Sequence, residues 1–291
     1  MKPAAFDYAA PRTLAECLAL KSRYGEDARF IAGGQSLMPL LSLRMVRPAV
    51  VIDLRLLSEL ATWRAEGETI AIGAMLRQNA LERDAALAAA LPLLAEAVPQ
   101  IGHPATRSRG TIVGSLCHAD PAAELPVCAL LLEAQIVLGS ASGNRTIPVA
   151  SFIAEALSTT VREDELALEV RFPAARPGTG YAFLELARRH GDFALISVAA
   201  MAGVADGAIA GARVALGGLG SAPMVVDLPQ LDGTRADDAA ATAAAALAVA
   251  AATEPATDLH ATAAYRRSLA GVLAERALAR AVANAGTRSA R

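Results

Sequence analysis

The chain has 291 residues, 54% of them hydrophobic and 19% charged, and a formal net charge of −2. That length and apolar content suffice for two domains of ordinary size. The near-neutral charge gives no electrostatic footprint for nucleic acid or an anionic membrane surface. The N-terminus lacks the apolar segment of a secretory signal, and no run is apolar for long enough to cross a bilayer. We therefore expect a cytoplasmic protein.

The cysteines and histidines give no sign of a metal centre or a disulfide framework. The three cysteines stand at unrelated spacings with no CxxC pair, and the four histidines are scattered. An iron–sulfur cluster or a zinc site needs closely spaced ligands. We expect no metal bound by this chain and no catalytic side chain of its own.

The first half of the chain reads as short strands separated by helices. Thr13 is a candidate N-cap for a helix over 13–24, with Glu16 in the capping-box position. "RFIAGG" and "AVVIDL" (49–54) read as strands, and residues 61–65 and 69–74 as a strand pair across a tight turn. The predictions that follow are a helix over 77–99, a helix over 121–133, and the strands "QIVLGS" and 165–173.

The second half reads as a separate unit after a Pro/Gly-rich linker. The segment 173–180, "PAARPGTG", has no periodicity. Three apolar runs follow it, separated by turns, which indicates an antiparallel sheet. Alanine-rich helices are predicted over 237–252 and about 260–286.

The stretch "IAGGQSL" places two glycines and a serine between a predicted strand and a predicted helix. It is neither GxGxxG nor a P-loop. Glycine there can supply the positive φ of a plain turn, and for an isolated pair that explanation is favoured. Bare backbone can also let N–H groups approach a phosphate, with the helix that begins near Ser36 aimed at it. The residues of this stretch alone leave both explanations open.

A second stretch, "RGTIVGSLCHADPAAE" (109–124), repeats the combination of hydroxyls and bare backbone. Thr111, Gly114 and Ser115 precede a predicted helix, with Asp120 as N-cap and Glu124 in the first turn. Capping alone explains the two acidic residues, so a ligand role for them stays open. Two such elements suit a diphosphate better than one does.

The order and spacing of these motifs resemble those of the FAD-binding medium subunit of molybdenum hydroxylases, the carbon monoxide dehydrogenase and xanthine dehydrogenase group. The resemblance rests on "FIAGGQSLMPLL", "RGTIVGSLCHADPAAELP", the opening "FDYAAPRTLAECLAL", "FLELARRHGDFALISVAA" and the final "YRRSLAGVLAERAL". It runs over nearly the whole chain.

The resemblance implies an α+β protein with two parts. Residues 1–175 would be a two-lobed FAD-binding domain of the vanillyl-alcohol oxidase type, with lobes at about 1–56 and 57–175. Residues 176–286 would be the smaller α+β C-terminal domain, an antiparallel sheet with helices. We expect 287–291 to be a disordered tail.

The resemblance also implies which residues hold the FAD. The first motif and the second would wrap its pyrophosphate, acidic or polar groups would approach the cofactor, and a segment near residue 190 would approach the isoalloxazine ring. The expected cofactor-binding residues are Ala32, Gly33, Gly34, Gln35, Ser36, Leu37, Thr111, Ile112, Val113, Gly114, Ser115, His118, Asp120, Glu124, Leu168, Arg188, Asp192 and Phe193.

Three departures from the family pattern bear on this site. Val113 replaces the first glycine of the usual "TIGGS", so one close backbone approach is expected to be lost or supplied elsewhere. Phe193 replaces a common tyrosine, which retains the ring but not the phenolic hydroxyl. The lysine that some relatives carry just before "ARR" is absent.

The implied function is that of a flavin subunit. A large subunit would carry molybdopterin and hydroxylate the substrate, and a small subunit would carry two [2Fe–2S] clusters. This chain would pass their electrons from FAD to NAD, oxygen or a quinone, with a dimer of heterotrimers as the expected assembly. The alternatives are a self-sufficient FAD-dependent oxidoreductase of the same fold and a cofactor-free scaffold subunit.

Overall fold

A computed structural model describes residues 2–220 and 222–289, the last three of these as backbone only. The N-terminal lobe is a small parallel sheet with β3 in the middle, in the order β1-β3-β2. Parallel neighbours need crossovers, and the two helices provide them. The elements are β1 (Asp7–Ala9), α1 (Leu14–Tyr24), β2 (Ala28–Ile31), α2 (Leu37–Ser42) and β3 (Val50–Asp53).

The predicted start of the first helix is confirmed. The Thr13 side chain accepts a hydrogen bond from the Glu16 N–H (3.2 Å), as an N-cap does. The Glu16 carboxylate, however, accepts from the N–H of Arg12 (2.9 Å), one residue before the N-cap. The predicted strands "RFIAGG" and 49–54 correspond to β2 and β3.

The second lobe is built on a five-stranded antiparallel sheet in the order β4-β5-β10-β6-β7, with a separate β8-β9 pair. Its helices and strands are β4 (Trp63–Glu66), β5 (Thr69–Gly73), α3 (Ala80–Arg83), α4 (Ala85–Ala90), α5 (Pro92–Ala97), α6 (Pro104–Arg107), α7 (Ile112–His118), α8 (Glu124–Leu131), β6 (Gln135–Ser140), β7 (Gly143–Pro148), α9 (Val149–Phe152), β8 (Ile153–Glu155), β9 (Ser158–Thr159) and β10 (Leu166–Pro173).

The single helix predicted over 77–99 is wrong, because the segment forms three short helices, α3 to α5. Asp84 ends the first and caps the second, accepting from the N–H groups of Ala86 and Leu87 (2.9 and 3.1 Å). Pro92 then stands in the first turn of the third. A residue that caps and a proline at a helix start each impose a new beginning.

The helix predicted over 121–133 begins later, at Glu124, and a further helix precedes it. Residues Ile112–His118 form α7, which the sequence did not reveal because its glycine and serine resemble a loop. Asp120 is not the N-cap of α8; its carboxylate accepts from the Ala122 N–H (2.9 Å) in the turn between the two helices.

The C-terminal part is a four-stranded antiparallel sheet with two helices, and the predicted antiparallel arrangement is confirmed. The strands follow one another in the order β11-β12-β13-β14. The elements are β11 (Thr179–Ala187), β12 (Ala194–Ala205), β13 (Ala208–Gly217), β14 (Met224–Asp227), α10 (Ala239–Ala252) and α11 (Ala263–Ser289).

The two faces of this sheet pack into two different cores. Side chains alternate along a strand, so even-numbered residues such as Ile196 and Val214 pack under α10 and α11. Odd-numbered residues such as Phe183 and Ala199 belong to the larger core of the two N-terminal lobes, on the side of α5 and α8. The C-terminal sheet therefore forms one wall of the larger core.

The last helix extends further than the sequence predicted. It continues to Ser289, so 287–289 are helical rather than disordered, in line with the helix-favouring alanines that precede them. Positions 290 and 291 of the predicted tail lie outside the described residues. No helix within residues 2–220 and 222–289 is both long and apolar enough to cross a membrane.

Candidate functional site

The first glycine element forms a tight loop between β2 and α2. Gly34 has φ = 72°, which a residue with a side chain rarely adopts. The carbonyl of Gly34 accepts from the Met38 N–H (3.1 Å), and the side chain of Gln35 folds back on the Gly33 carbonyl (3.2 Å). Ser36 stands at the N-cap of α2 but makes no capping bond with its side chain. Its hydroxyl is therefore not committed to the helix.

The second glycine element is the loop that leads into α7. Thr111 caps this helix by accepting from the Gly114 N–H (3.0 Å), and a Cβ on Gly114 would lie 2.5 Å from the Thr111 hydroxyl oxygen. A backbone hydrogen bond holds this loop in place, because the Gln78 N–H donates to the Gly110 carbonyl (2.9 Å). A side chain at position 114 would therefore clash with the hydroxyl group of Thr111 that caps the helix.

The two elements meet in space, backbone against backbone. A Cβ on Gly33 would lie 2.3 Å from the carbonyl oxygen of Arg109 and 2.8 Å from the Cα of Gly110. No side chain fits at this contact, since real Cβ atoms do not approach backbone so closely. The structure thus joins what the sequence could only place in two separate stretches. We name the loops at 32–36 and 109–114 together the glycine cradle.

Two arginines give the glycine cradle positive charge that the sequence did not reveal. The Arg77 guanidinium donates to the Arg109 carbonyl, the same atom that Gly33 packs against. Partial burial, with the nearby charge of Arg109, lowers the pKa of Arg77. Neighbouring cations are stabilised when an anion is placed between them. Arg77 was missed because it stands more than thirty residues from either motif.

Val113 does not point into the glycine cradle. Its side chain is 2% exposed and packs in the main core together with Ile112 and Leu116. Because Val113 lies in the first turn of α7, it can still present its N–H there. The expected loss of a close approach at this position therefore does not arise from the side chain.

A cavity of about 550 Å³ lies at the other end of α7, between the second lobe and the C-terminal domain. Its walls come from the turn at 120–122, the loop 188–195, the turn 218–220 and the segment 256–266. It brings together the predicted residues Asp120, Arg188, Asp192 and Phe193, with Phe193 71% exposed at its edge. That volume is typical of a small-molecule or cofactor site.

Arg266 organises the C-terminal wall of the cavity. It is 5% exposed and donates to the backbone carbonyls of Leu195, Ala256 and Ala261 (3.1, 2.8 and 3.3 Å). It also pairs with Asp258 (2.8 Å), and this pair holds the pKa of the Asp258 carboxyl well below its usual range. No local pattern could predict this cluster, because it depends on the packing of α11 against β12.

The acidic residues predicted near the cofactor differ in burial. Asp120 is partly exposed at the cavity, 3.9 Å from the imidazole of His118. Glu124 is only 8% exposed, and burial is the main cause that raises its pKa to about 7, with a smaller contribution from Asp120. The predicted first-turn position of Glu124 is confirmed, although a buried side chain there has a different role from a surface cap.

The remaining predicted residues fall into two groups. Ala32, Leu37 and Ser115 are half-buried around the glycine cradle and α7. Leu168 lies elsewhere: it is 8% exposed in β10, and its side chain packs against Gly139 of the neighbouring strand. The structure does not bring the Leu168 side chain to the glycine cradle or to the cavity, because β10 is the central strand of the sheet.

Two family models cover nearly the whole chain. One describes the FAD binding domain in molybdopterin dehydrogenase and matches residues 4–175. The other describes the CO dehydrogenase flavoprotein C-terminal domain and matches residues 181–281.

Curated relatives of similar length carry related names. The chain is 38% identical over 286 residues to the 6-hydroxypseudooxynicotine dehydrogenase complex subunit alpha of Paenarthrobacter nicotinovorans, covering 97% of this chain and 96% of that one. It is 37% identical to the carbon monoxide dehydrogenase medium chain of Hydrogenophaga pseudoflava, with coverage of 96% and 97%. The caffeine dehydrogenase subunit beta of Pseudomonas sp. strain CBB1 is 41% identical over 225 residues, 77% and 76% of the two chains.

Solved structures agree with the fold. A chain of carbon monoxide dehydrogenase from Hydrogenophaga pseudoflava superposes with a TM-score of 0.92 at 37% identity, covering 98% of this chain and 99% of that one. A chain of quinoline 2-oxidoreductase from Pseudomonas putida 86 gives the same TM-score and coverage at 34% identity.

Proposed function

Because the chain belongs to the family of FAD-binding medium subunits of molybdenum hydroxylases, we propose that it is the terminal redox module of such a complex. It accepts electrons from [2Fe–2S] clusters of a small subunit and passes them from FAD to an external acceptor, which is NAD, oxygen or a quinone. The large subunit carries molybdopterin and oxidises the substrate, and the whole assembles as a dimer of heterotrimers.

The observation that carries this proposal is the contact of Gly33 with Arg109 and Gly110. It makes one concave surface of bare backbone from two distant loops, with Arg77 and Arg109 beside it. Such a surface suits the two negative phosphates of FAD, because N–H groups and guanidinium groups both favour anions. In this role Gly33, Gly34 and Val113 would act through their backbone, and the hydroxyls of Ser36 and Thr111 would donate to phosphate oxygens. Gly114 would keep the start of α7 free of a side chain, because its N–H is held by the Thr111 cap.

The cavity suits the flavin ring. The helix α7 has its first residue at the glycine cradle and its last beside the cavity, and its seven residues span about 10 Å at 1.5 Å each. A single FAD molecule can therefore use both places. When bound, FAD supplies the two-electron chemistry. The exposed Phe193 stands at the edge of the cavity, with Arg188 and Asp192 among the charged residues that line it.

The alternative functions predict different behaviour of the isolated chain. A self-sufficient flavoenzyme turns over steadily alone, whereas a subunit gains turnover only when its partners are added. A cofactor-free scaffold has no need of the Gly33 contact and shows no flavin absorbance. The names of two relatives, one a subunit of a dehydrogenase complex and the other a medium chain, favour the redox module.

The test is to purify the complex and the isolated chain and to record flavin absorbance and turnover with each acceptor. We expect flavin in the complex and steady turnover only there. Replacing Gly33 and Gly34 together by valine should remove both. Gly286→Ala is the matched control, since a Cβ at Gly286 meets nothing within 4 Å. A complex without flavin, or one that keeps full turnover after the double replacement, contradicts the proposal.

A further inference from the structure

A buried polar cluster lies where the C-terminal sheet meets α8. Glu185 of β11 stands directly opposite Ser197 of β12, and Ser197 stands opposite Gly217 of β13. All three are odd-numbered and therefore face α8, whose Val127 lies 2.6 Å from the position that a Cβ of Gly217 would take. Glu124, the buried first residue of α8, is near enough for its charge to act on Glu185. We call these residues the carboxyl cluster.

The carboxyl cluster has polar atoms with no partner. Within the described residues, the Oε2 atom of Glu185 and the hydroxyl of Ser197 are buried without a hydrogen bond, and Ser197 is 0% exposed. The Ser197 oxygen points into the cluster, 2.8 Å from the position of a Gly217 Cβ. Buried polar groups in native proteins normally have partners. These atoms therefore indicate a bound water or an exchangeable proton.

Among the residues whose side chains are described, no basic group acts on the pKa of either carboxyl group. Burial raises the pKa of Glu124 to about 7 and that of Glu185 to about 8, and Glu124 further raises the value at Glu185. Asp120 adds negative charge from the turn, and α8 contributes only the buried thiol of Cys128, whose pKa is also raised by burial. Two ionised carboxylates in this setting would repel each other, so sharing a proton is favoured.

Arg280 of α11, a cation at the same interface, is engaged by another carboxyl group. Glu96 of α5 accepts from the Phe183 N–H (3.0 Å) and pairs with Arg280 of α11 at 3.2 Å. The charge of Arg280 is therefore directed to Glu96 rather than to Glu185. Glu96 serves as a natural comparison, because it is a carboxylate at the same interface that does have partners.

The carboxyl cluster lies directly behind the cavity wall. Asp120, Pro121 and Ala122 line the cavity just before Glu124. On the sheet, Leu195 lines it two residues before Ser197, and Gly218 lines it next to Gly217. The Gly218 N–H donates to the Pro121 carbonyl (2.8 Å), which ties the sheet end to the start of α8.

We propose that Glu124 and Glu185 share one proton at neutral pH and supply it to the cavity when the flavin is reduced. This inference rests on the proposed function. Iron–sulfur clusters deliver electrons without protons, whereas a flavin that takes up two electrons also takes up a proton. The O–H bond of the shared carboxylic acid breaks, its proton passes to the cavity, and water returns a proton to the carboxylate.

The first test needs no cofactor. Infrared spectra of the FAD-free full chain, recorded in neutral and in alkaline buffer, should show the carbonyl stretch of a neutral carboxylic acid only in the neutral sample. Glu185→Gln should remove that band, and Glu96→Gln should keep it. Glu124→Gln is the second variant, in case Glu185→Gln fails to fold. Absence of the band from the wild-type chain overturns the proposal.

The second test measures proton supply in the assembled complex. The rate of flavin bleaching after mixing with substrate should fall as pH rises through the titration of the pair. Glu185→Gln should lower the rate by about 10²-fold, the usual contribution of a positioned acid, and flatten its pH profile. A wild-type rate and profile in that variant overturns the proposal, even with flavin bound. A complex without any flavin instead contradicts the proposed function, while the infrared result still decides whether the shared proton exists.

Discussion

The glycine cradle and the cavity are built in opposite ways. The glycine cradle is made of backbone: its central contact is possible only because Gly33 has no side chain. The cavity is made of side chains from segments between residues 120 and 266, with Arg266 tying them together. A backbone site depends on a few local positions, whereas a side-chain site depends on the packing of two domains. Substitutions in the glycine cradle should therefore abolish cofactor binding, whereas substitutions in the cavity should weaken or alter it.

The largest effect is expected in the glycine cradle from Gly33→Ala. The new Cβ would lie 2.3 Å from the Arg109 carbonyl oxygen, so the two loops must separate. FAD affinity should fall by at least about 10²-fold, or roughly 2.7 kcal/mol. Titration of the FAD-free chain with FAD measures this, with Gly286→Ala as the control. Unchanged affinity in Gly33→Ala would show that the backbone contact is not needed.

The cavity should respond to Arg266→Met through stability. The variant leaves three carbonyls and Asp258 without their donor in a region where Arg266 is 5% exposed. Leaving a buried acceptor without its donor costs about 1–3 kcal/mol, whereas the half-exposed Asp258 contributes little. Urea unfolding measures the loss. The control is Arg235→Met, which breaks the exposed pair with Asp237 and should leave the free energy of unfolding nearly unchanged. Equal costs for both would remove the special role of Arg266.

The carboxyl cluster behind the cavity should make stability depend on pH. The pKa values of Glu124 and Glu185 rise from 4.5 to about 7 and about 8 on folding. Between about pH 4.5 and pH 8 the folded chain binds more protons than the unfolded chain. The free energy of unfolding therefore falls as pH rises through this range, and above about pH 8 it becomes constant.

This pH dependence can be measured by urea unfolding across that window. Because a pKa difference of one corresponds to about 1.4 kcal/mol, the two rises together predict a wild-type loss of several kcal/mol, and this loss should be absent from the double variant Glu124→Gln, Glu185→Gln. The exposed Glu155→Gln is the control and should keep the wild-type slope. If the free energy of unfolding of the double variant had the wild-type dependence on pH, the dependence could not be assigned to Glu124 and Glu185.

The smallest effect on folding is expected at the edge of the cavity. Phe193 is 71% exposed, so Phe193→Ala should change the free energy of unfolding by less than about 0.5 kcal/mol. If its ring covers the flavin, the variant should make flavin fluorescence more readily quenched by a soluble quencher such as iodide. Phe193→Tyr is the control that keeps the ring. Wild-type quenching in Phe193→Ala would show that the ring does not cover the cofactor.

The same contrast explains how much the sequence could predict. The glycine motifs were identifiable because "AGGQS" and "TIVGS" mark where bare backbone is needed, and the antiparallel C-terminal sheet was identifiable from its apolar runs. The N-cap at Thr13 followed from local chemistry. These features depend on residues close together in the chain.

What the sequence could not give depends on contacts between distant segments. Arg77 reaches the Arg109 carbonyl, and Arg266 reaches Leu195, over separations that no local pattern encodes. Glu185 reads as an ordinary strand residue until β12 and α8 enclose it. Helix α7 was missed because its glycine, needed for the cap at Thr111, looks like a loop signal. Val113 seemed a defect only because the direction of its side chain was unknown.

The odd-numbered face of the C-terminal sheet has a consequence for building chimeric proteins. Tyr181, Phe183, Ala199 and Ala215 are part of the larger core, although they lie beyond residue 175. Cutting the chain at residue 175 would divide the larger core, because residues on both sides of the cut belong to it. The cut would also expose the faces of α5 and α8 that pack against the C-terminal sheet. A C-terminal domain exchanged with a relative would have to bring a matching inner face, or the recipient would lose the wall that seals its core and its carboxyl cluster together.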